Sequence, residues 1–259
     1  VYTNDLKLFG QVIELAPRCV RANNYLANSY FEQGNWPAAA EHYRTIVATP
    51  VRFEREDMDA EELTELWTSR RRTRREVINR EIGHYVNAYQ KLARIHLAAG
   101  ERQAALDLYR QGGENFPILY NDLGRTLAEE GQYEEAVTWF EKARASEAVI
   151  SPVLRSSIYY NLGTALLALE RLDEAKEFIW KSQRDLPQGR PAHAAMANYY
   201  LALILWRQQV PDDVVVRRLK SALSFGLAPT EAANARRLLA RFDGSGRSQS
   251  RPAPSVPVS

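Results

Sequence analysis

What most constrains this chain is one order of residues that returns four times. Leu26-Ala27 leads to Gly34, then to Ala39, Tyr43 and Pro50; Leu92-Ala93 leads to Gly100, Ala105, Tyr109 and Pro117. Leu123-Gly124 leads to Gly131, Ala136 and Phe140, and Leu162-Gly163 leads to Ala175, Ile179 and Pro187. Each place has a physical reason. The leucine faces the core of a first helix, and the small residue after it lets a second helix approach. The glycine accepts the left-handed conformation that ends the first helix, and the small and large residues of the second helix fill the crossing. The proline is expected to stop the second helix, since it cannot continue one. In the fourth copy Glu170 stands where the glycine belongs, so that turn must be built differently or strained.

Self-similarity at this spacing describes stacked helical hairpins, each packing on its neighbours. The pattern resembles the tetratricopeptide repeat (TPR). That resemblance implies an all-α fold, a right-handed α-solenoid of helix-turn-helix repeats closed by a C-terminal capping helix. Repeats are placed at about 20–50, 86–117, 118–151 and 156–187, with a degenerate copy at 192–228, where Gln209-Val-Pro-Asp-Asp replaces the glycine turn. Residues 4–17 read as the second helix of a repeat whose first half is cut away. A capping helix is expected at 230–242, capped by Thr230 and presenting Ala233, Leu238 and Leu239, and a disordered tail at 243–259, where apolar residues are few. The solenoid is thus expected over 1–242.

Residues 51–85 interrupt the array with an acidic half, Glu54 to Glu65, and a basic half, Arg70 to Arg80. The order suits a helix macrodipole, and Leu63, Leu66 and Trp67 share a face with Val77, Ile78 and Ile82. The segment reads as one long helix or a hairpin that docks on the array. The Arg70–Arg75 run is a solvated helix face, or a contact for nucleic acid, acidic lipid or an acidic partner. It lacks the interleaved aromatics that single strands stack on.

The chain has 259 residues and a net charge of +2, too balanced for a protein built to neutralise many phosphates. Nucleic acid is therefore not expected as a partner. Cys19 is the lone cysteine, which excludes an internal disulfide and fits a reducing cytoplasm or a periplasmic protein that avoids thiols. His42, His84, His96 and His193 are scattered, without metal-ligand spacing, and no phosphate-binding glycine loop precedes a helix. No catalytic, metal or cofactor-binding residue stands out, so no cofactor and no enzyme activity are expected of this chain.

In TPR proteins the first helices line a groove that holds a protein or peptide. Counting from the leucines places Asn24, Asn28, Phe31, Gln90, Arg94, Asn121, Arg125, Tyr160 and Thr164 there, followed by Tyr199, Leu203 and Trp206. The asparagines and arginines resemble the polar set by which related domains hold an extended peptide or its carboxylate, since the guanidinium fork grips a carboxylate with two hydrogen bonds. Ordinary solvation of a polar face is the alternative, and for Tyr160, Tyr199 and Trp206 so is core packing. The lysine and asparagine pattern of the family's carboxylate clamp is not reproduced.

The chain opens on Val1, which reads as a fragment or processed product, and it carries no membrane-spanning run or signal peptide. Its first thirty residues resemble the junction of polytopic membrane O-mannosyltransferase-type glycosyltransferases that end in TPRs. Two functions are therefore expected: a protein-interaction scaffold, cytoplasmic if self-standing, or the extracytoplasmic accessory domain of a membrane glycosyltransferase.

Overall fold

A computed structural model describes residues 2–51, 72–145, 151–184 and 191–243. Every regular element among them is a helix. The chain divides into two compact units, 1–119 and 120–259.

The first unit holds α1 (Tyr2–Leu15), α2 (Val20–Glu32), α3 (Trp36–Val47), α4 (Arg72–Ala98) and α5 (Arg102–Gly113). Helices α2 and α3 form one hairpin, α4 and α5 a second, and α4 also packs on α2 and α3. Helix α6 (Pro117–Glu129) begins at the boundary. The second unit continues with α7 (Tyr133–Arg144), α8 (Pro152–Ala168), α9 (Leu172–Arg184), α10 (Pro191–Arg207), α11 (Asp212–Ser224) and α12 (Pro229–Asp243). There α8 pairs with α9, α10 with α11, and α12 lies on α11.

The core is the recurring order made solid. Leu26, Leu92, Leu123, Leu162 and, in the degenerate copy, Leu201 are all buried, as are Ala27, Ala93 and Ala202 beside them. Ala39, Ala105, Ala136 and Ala175 are wholly buried on the second helices, with Val215 in that place on α11. Tyr43, Tyr109, Phe140, Ile179 and Leu219 follow four residues later, also buried. Where glycine replaces the small residue, the approach is closest. A Cβ on Gly124 would lie 2.7 Å from the Phe140 ring, and one on Gly163 2.7 Å from Ile179 Cγ1.

Each first helix ends on the same device. The backbone N–H three places past the helix donates to the carbonyl five residues back: Asn35 to Tyr30, Glu101 to His96, Gln132 to Leu127, Arg171 to Leu166 and Val210 to Leu205, at 2.8–3.0 Å. This six-to-one bond demands a left-handed residue just before it. Gly34, Gly100 and Gly131 supply it at φ near +77°, between the observed 76° and 78°. Glu170 and Gln209 supply it at φ 58°, so the two C-terminal turns keep the geometry and accept the strain.

Of the prolines expected to stop second helices, Pro50 follows the end of α3 at Val47 as expected, Pro187 lies outside the described residues, and Pro117 acts otherwise. Pro117 is the first residue of α6, and α5 has already ended at Gly113, so Pro117 starts a helix rather than stopping one. Pro152, Pro191 and Pro229 also open helices, where the missing N–H is one that no helical carbonyl would have met.

Three further readings change. Helix α4 runs 27 residues without a break, so the first helix of the second repeat begins near 72 rather than 86. Gly83, inside it, is exposed and touches nothing, which the helix tolerates. Helix α12 begins at Pro229, with Ala228 accepting the first backbone bond from Ala232, so Thr230 lies inside the helix rather than capping it. Ala233 is exposed, and the inward face is Glu231, Ala232, Ala235 and Leu238, with Leu239 half-buried. The acidic half of the 51–85 segment, Arg70 and Arg71, and the tail from 244 lie outside the described residues.

Candidate binding surface

The residues that sequence counting assigned to the groove fall on α2 and α4 in the first unit and on α6, α8 and α10 in the second. In each unit a seam of polar side chains ties successive first helices together.

In the first unit Asn24 is buried between α2 and α4. Its Nδ2 donates to His84 Nδ1 at 2.9 Å, and its Oδ1 accepts from Asn87 Nδ2 at 2.8 Å. Asn87 also donates to Asn28 Oδ1 at 2.9 Å, and Asn28 accepts a second bond, 2.7 Å, from the Tyr43 hydroxyl. Burial pushes the Tyr43 hydroxyl well above its ordinary pKa and lowers that of His84, since the charged form loses water in each case. His42 is lowered for the same reason and donates from Nδ1 to Asn23 Oδ1 at 2.9 Å. Gln90 is half-buried on α4.

Arg94 stays exposed on this unit. Its guanidinium lies 5.5 Å from the Phe31 ring centre, and Lys91 Nζ lies 4.2 Å from the same ring. Both are cation–π distances. Among the described residues neither cation has a carboxylate within ion-pair distance.

In the second unit Asn121 is buried and accepts a 2.9 Å bond from Asn161 Nδ2, joining α6 to α8. Thr164 Oγ1 donates to the Asn161 carbonyl at 2.9 Å and makes its bond within its own helix. Tyr160 meets Tyr200 edge-on, with ring centres 5.7 Å apart, joining α8 to α10. Burial raises both hydroxyls; Tyr200 reaches about 12. Burial raises the Tyr199 hydroxyl as well, and the Asn234 side chain on α12 holds it back. Arg125 is exposed, 3.5 Å from Asp122 and 4.0 Å from Glu129 on its own helix. Such exposed pairs contribute little and yield readily to another partner. Tyr199, Leu203 and Trp206 are core residues, no more than 4% exposed, and line no groove.

The spacing from each leucine located one side of every seam bond and missed the other. His84, Asn87, Asn161, Tyr200 and Asn234 meet their partners only across helices, and Lys91 lies one place from the counted positions. No group of His, Cys, Asp and Glu among the described residues could hold a metal ion, and no described helix is long and apolar enough to cross a membrane. Cys19 is half-buried at the start of α2 and accepts, through its carbonyl, a 3.0 Å bond from Asn23.

Tetratricopeptide-repeat family profiles match residues 6–52 and 115–179. No curated protein sequence matches the chain. Among solved structures, the fold is similar to the C-terminal part of a TPR repeat-containing protein from Cytophaga hutchinsonii, with a TM-score of 0.59 and 13% identity over 94% of this chain and 83% of that one. It is similar to the APC/C hetero-tetramer Cut9-Hcn1, with a TM-score of 0.58 and 16% identity over 90% of this chain and 39% of that one. The chain therefore spans about two fifths of that relative. A third is YrrB, described as a TPR protein with an unusual peptide-binding site, with a TM-score of 0.53 and 15% identity over 88% of this chain and 97% of that one. None of these comparisons supports the resemblance of the opening residues to membrane O-mannosyltransferases. The two profile matches and the five repeated hairpin turns agree that the chain contains tetratricopeptide repeats.

Proposed function

We propose that this TPR array serves as a protein-interaction scaffold and that it holds a peptide or protein segment on the faces of its first helices. A scaffold role is what the TPR fold implies; the particular face is the proposal. The observation that carries it is the cation pair beside Phe31. Lys91 and Arg94 have no carboxylate partner among the described residues, while the asparagines around them are committed to the seam. On this reading Asn24, Asn28 and Asn121 set the spacing of the helices, and Arg94, with Arg125 in the second unit, makes the outward contacts. Gln90, Tyr160 and Thr164 border those contacts. YrrB, by its description, binds a peptide, and Cut9 assembles with another protein, which is consistent with either kind of partner. No reaction is assigned to the chain.

The test is affinity capture on the full chain, comparing the wild type with Arg94→Ala/Arg125→Ala and with a variant that neutralises Arg70–Arg75. Loss of a charged hydrogen bond of about 2 kcal/mol weakens binding by roughly thirtyfold. The double variant is expected to lose its partners and the neutralised variant to keep them. Unchanged capture by the double variant, with loss in the neutralised one, would overturn the assignment.

A further inference from the structure

The second unit contains a cleft that the seam does not use. It has a volume of about 470 Å³, within the size range of small ligand and side-chain sites. Second helices α9 and α11 wall it, and first helix α10 forms its floor through Leu201 and Leu205, one helical turn apart. Trp180, the last residue of the α9 wall, is 51% exposed. Its indole carries the Arg184 guanidinium 5.5 Å from the ring centre and leaves the rest of its apolar surface open to solvent.

The charges around the cleft are not equivalent. Lys176 lies 3.4 Å from Asp173, which also accepts a 2.8 Å bond from Gln208. Glu177 lies 2.6 Å from Lys181. Arg218, reaching in from α11, has a neutral partner instead, donating from Nη1 to Asn198 Oδ1 at 2.9 Å. Asn198 is itself buried, and its Nδ2 donates to the Ala194 carbonyl, so its amide holds the guanidinium in place without neutralising it. Arg218 is therefore the one charge lining this cleft that has no opposite charge beside it among the described residues. A half-buried guanidinium held by an amide, next to an apolar floor and an open indole, matches a side chain and a carboxylate arriving together.

We propose that the α9–α11 cleft of the second unit is a second binding site, for a protein segment that seats a large apolar side chain on Leu201, Leu205 and Trp180 and places an adjacent Asp or Glu on Arg218. The energetic logic is that of an anchor residue in a pocket with one desolvated charge pair at its edge. The guanidinium offers a bidentate grip that a lysine would not. This site lies apart from the first-helix face, so either can exist without the other.

The experiment is selection of a random-peptide display library on the full chain, followed by titration of the enriched peptides, synthesised with a fluorophore, by anisotropy. Peptides pairing a large apolar residue with a neighbouring acid are expected. Their affinity should fall about tenfold in Arg218→Gln, which can still donate to Asn198, and by a comparable factor in Trp180→Ala, an exposed site whose loss leaves the fold intact. Arg94→Ala should leave it unchanged. Enriched peptides without an acid, affinity that survives both cleft substitutions, or no enrichment at all would each overturn the proposal. Peptides lost only in Arg94→Ala would do the same while supporting the first-helix face.

Discussion

Replacing Gly163 by alanine sets two familiar effects against each other, and the structure decides between them. In a solvent-facing helix the substitution stabilises by about 0.5–1 kcal/mol, because alanine gives up less backbone entropy. Here the new methyl would sit 2.7 Å from Ile179 Cγ1, 2.8 Å from Cδ1 and 3.1 Å from the Ile179 backbone nitrogen. Ile179 is wholly buried, and the nitrogen belongs to helix α9, so the contact cannot be relieved by turning one side chain. Overpacking of this kind costs about 1–3 kcal/mol. The net expectation is a loss of about 1 kcal/mol, or roughly 2–4 °C in Tm for a chain of this length. Gly83→Ala is the control: its position is helical, exposed and free of contacts, so it should gain about 0.5–1 kcal/mol. Thermal and urea unfolding, followed by circular dichroism, read both. A double-mutant cycle with Ile179→Ala, which removes both crowded side-chain carbons, should show coupling of about 1 kcal/mol. If Gly163→Ala stabilises as much as Gly83→Ala, close helix approach is not what the small residue after the leucine provides.

Gln209→Gly should stabilise the second unit by about 1 kcal/mol in urea unfolding, since it frees a non-glycine residue from φ 58°. Glu170→Gly relieves the same strain but removes the carboxylate 3.2 Å from Arg207, whose side chain is 10% exposed, so its gain should be smaller or reversed; equal gains at the two positions would refute the pairing. The His84 and His42 values are lowered below 6.5 by burial, so the folded state prefers the neutral rings. Their contribution is complete above the unfolded pKa of about 6.5 and declines as pH falls below it toward the lowered folded values. His84→Gln should therefore flatten the acid limb of first-unit stability, measured by urea midpoints across that range. An unchanged slope would mean that His84 does not report on the Asn24 seam.

The hairpins were legible because their determinants are local. Leu26-Ala27 and Leu162-Gly163 state a buried residue and a close approach in two letters. Gly34 and Gly131 state a left-handed turn, and Glu170 could be recognised as its strained substitute. The roles of the groove residues were not legible to the same degree. Asn24 was identified, but its partners His84 and Asn87 lie sixty residues on, beyond the charged segment, and only stacking of α4 on α2 brings them together. The α9–α11 cleft is harder still, because Trp180, Leu205 and Arg218 belong to three helices and share no periodicity. Pro117 and Ala233 show a smaller failing, in which a residue type was assigned its commonest role and the register of the helix gave it another.

The seam has a consequence for how such arrays grow and shrink. In the second unit the residue two before the leucine reaches the residue just before the leucine on the next first helix: Asn121 to Asn161, then Tyr160 to Tyr200. One geometric relation is filled by two amides at one junction and two phenols at the next. Every group in that set both donates and accepts. Excision of α8 and α9 as one piece would bring the amide of Asn121 opposite the hydroxyl of Tyr200, and neither would be stranded. The junctions are thus interchangeable in bonding though not in size, and a gene that loses or duplicates one repeat keeps its buried polar atoms in conversation.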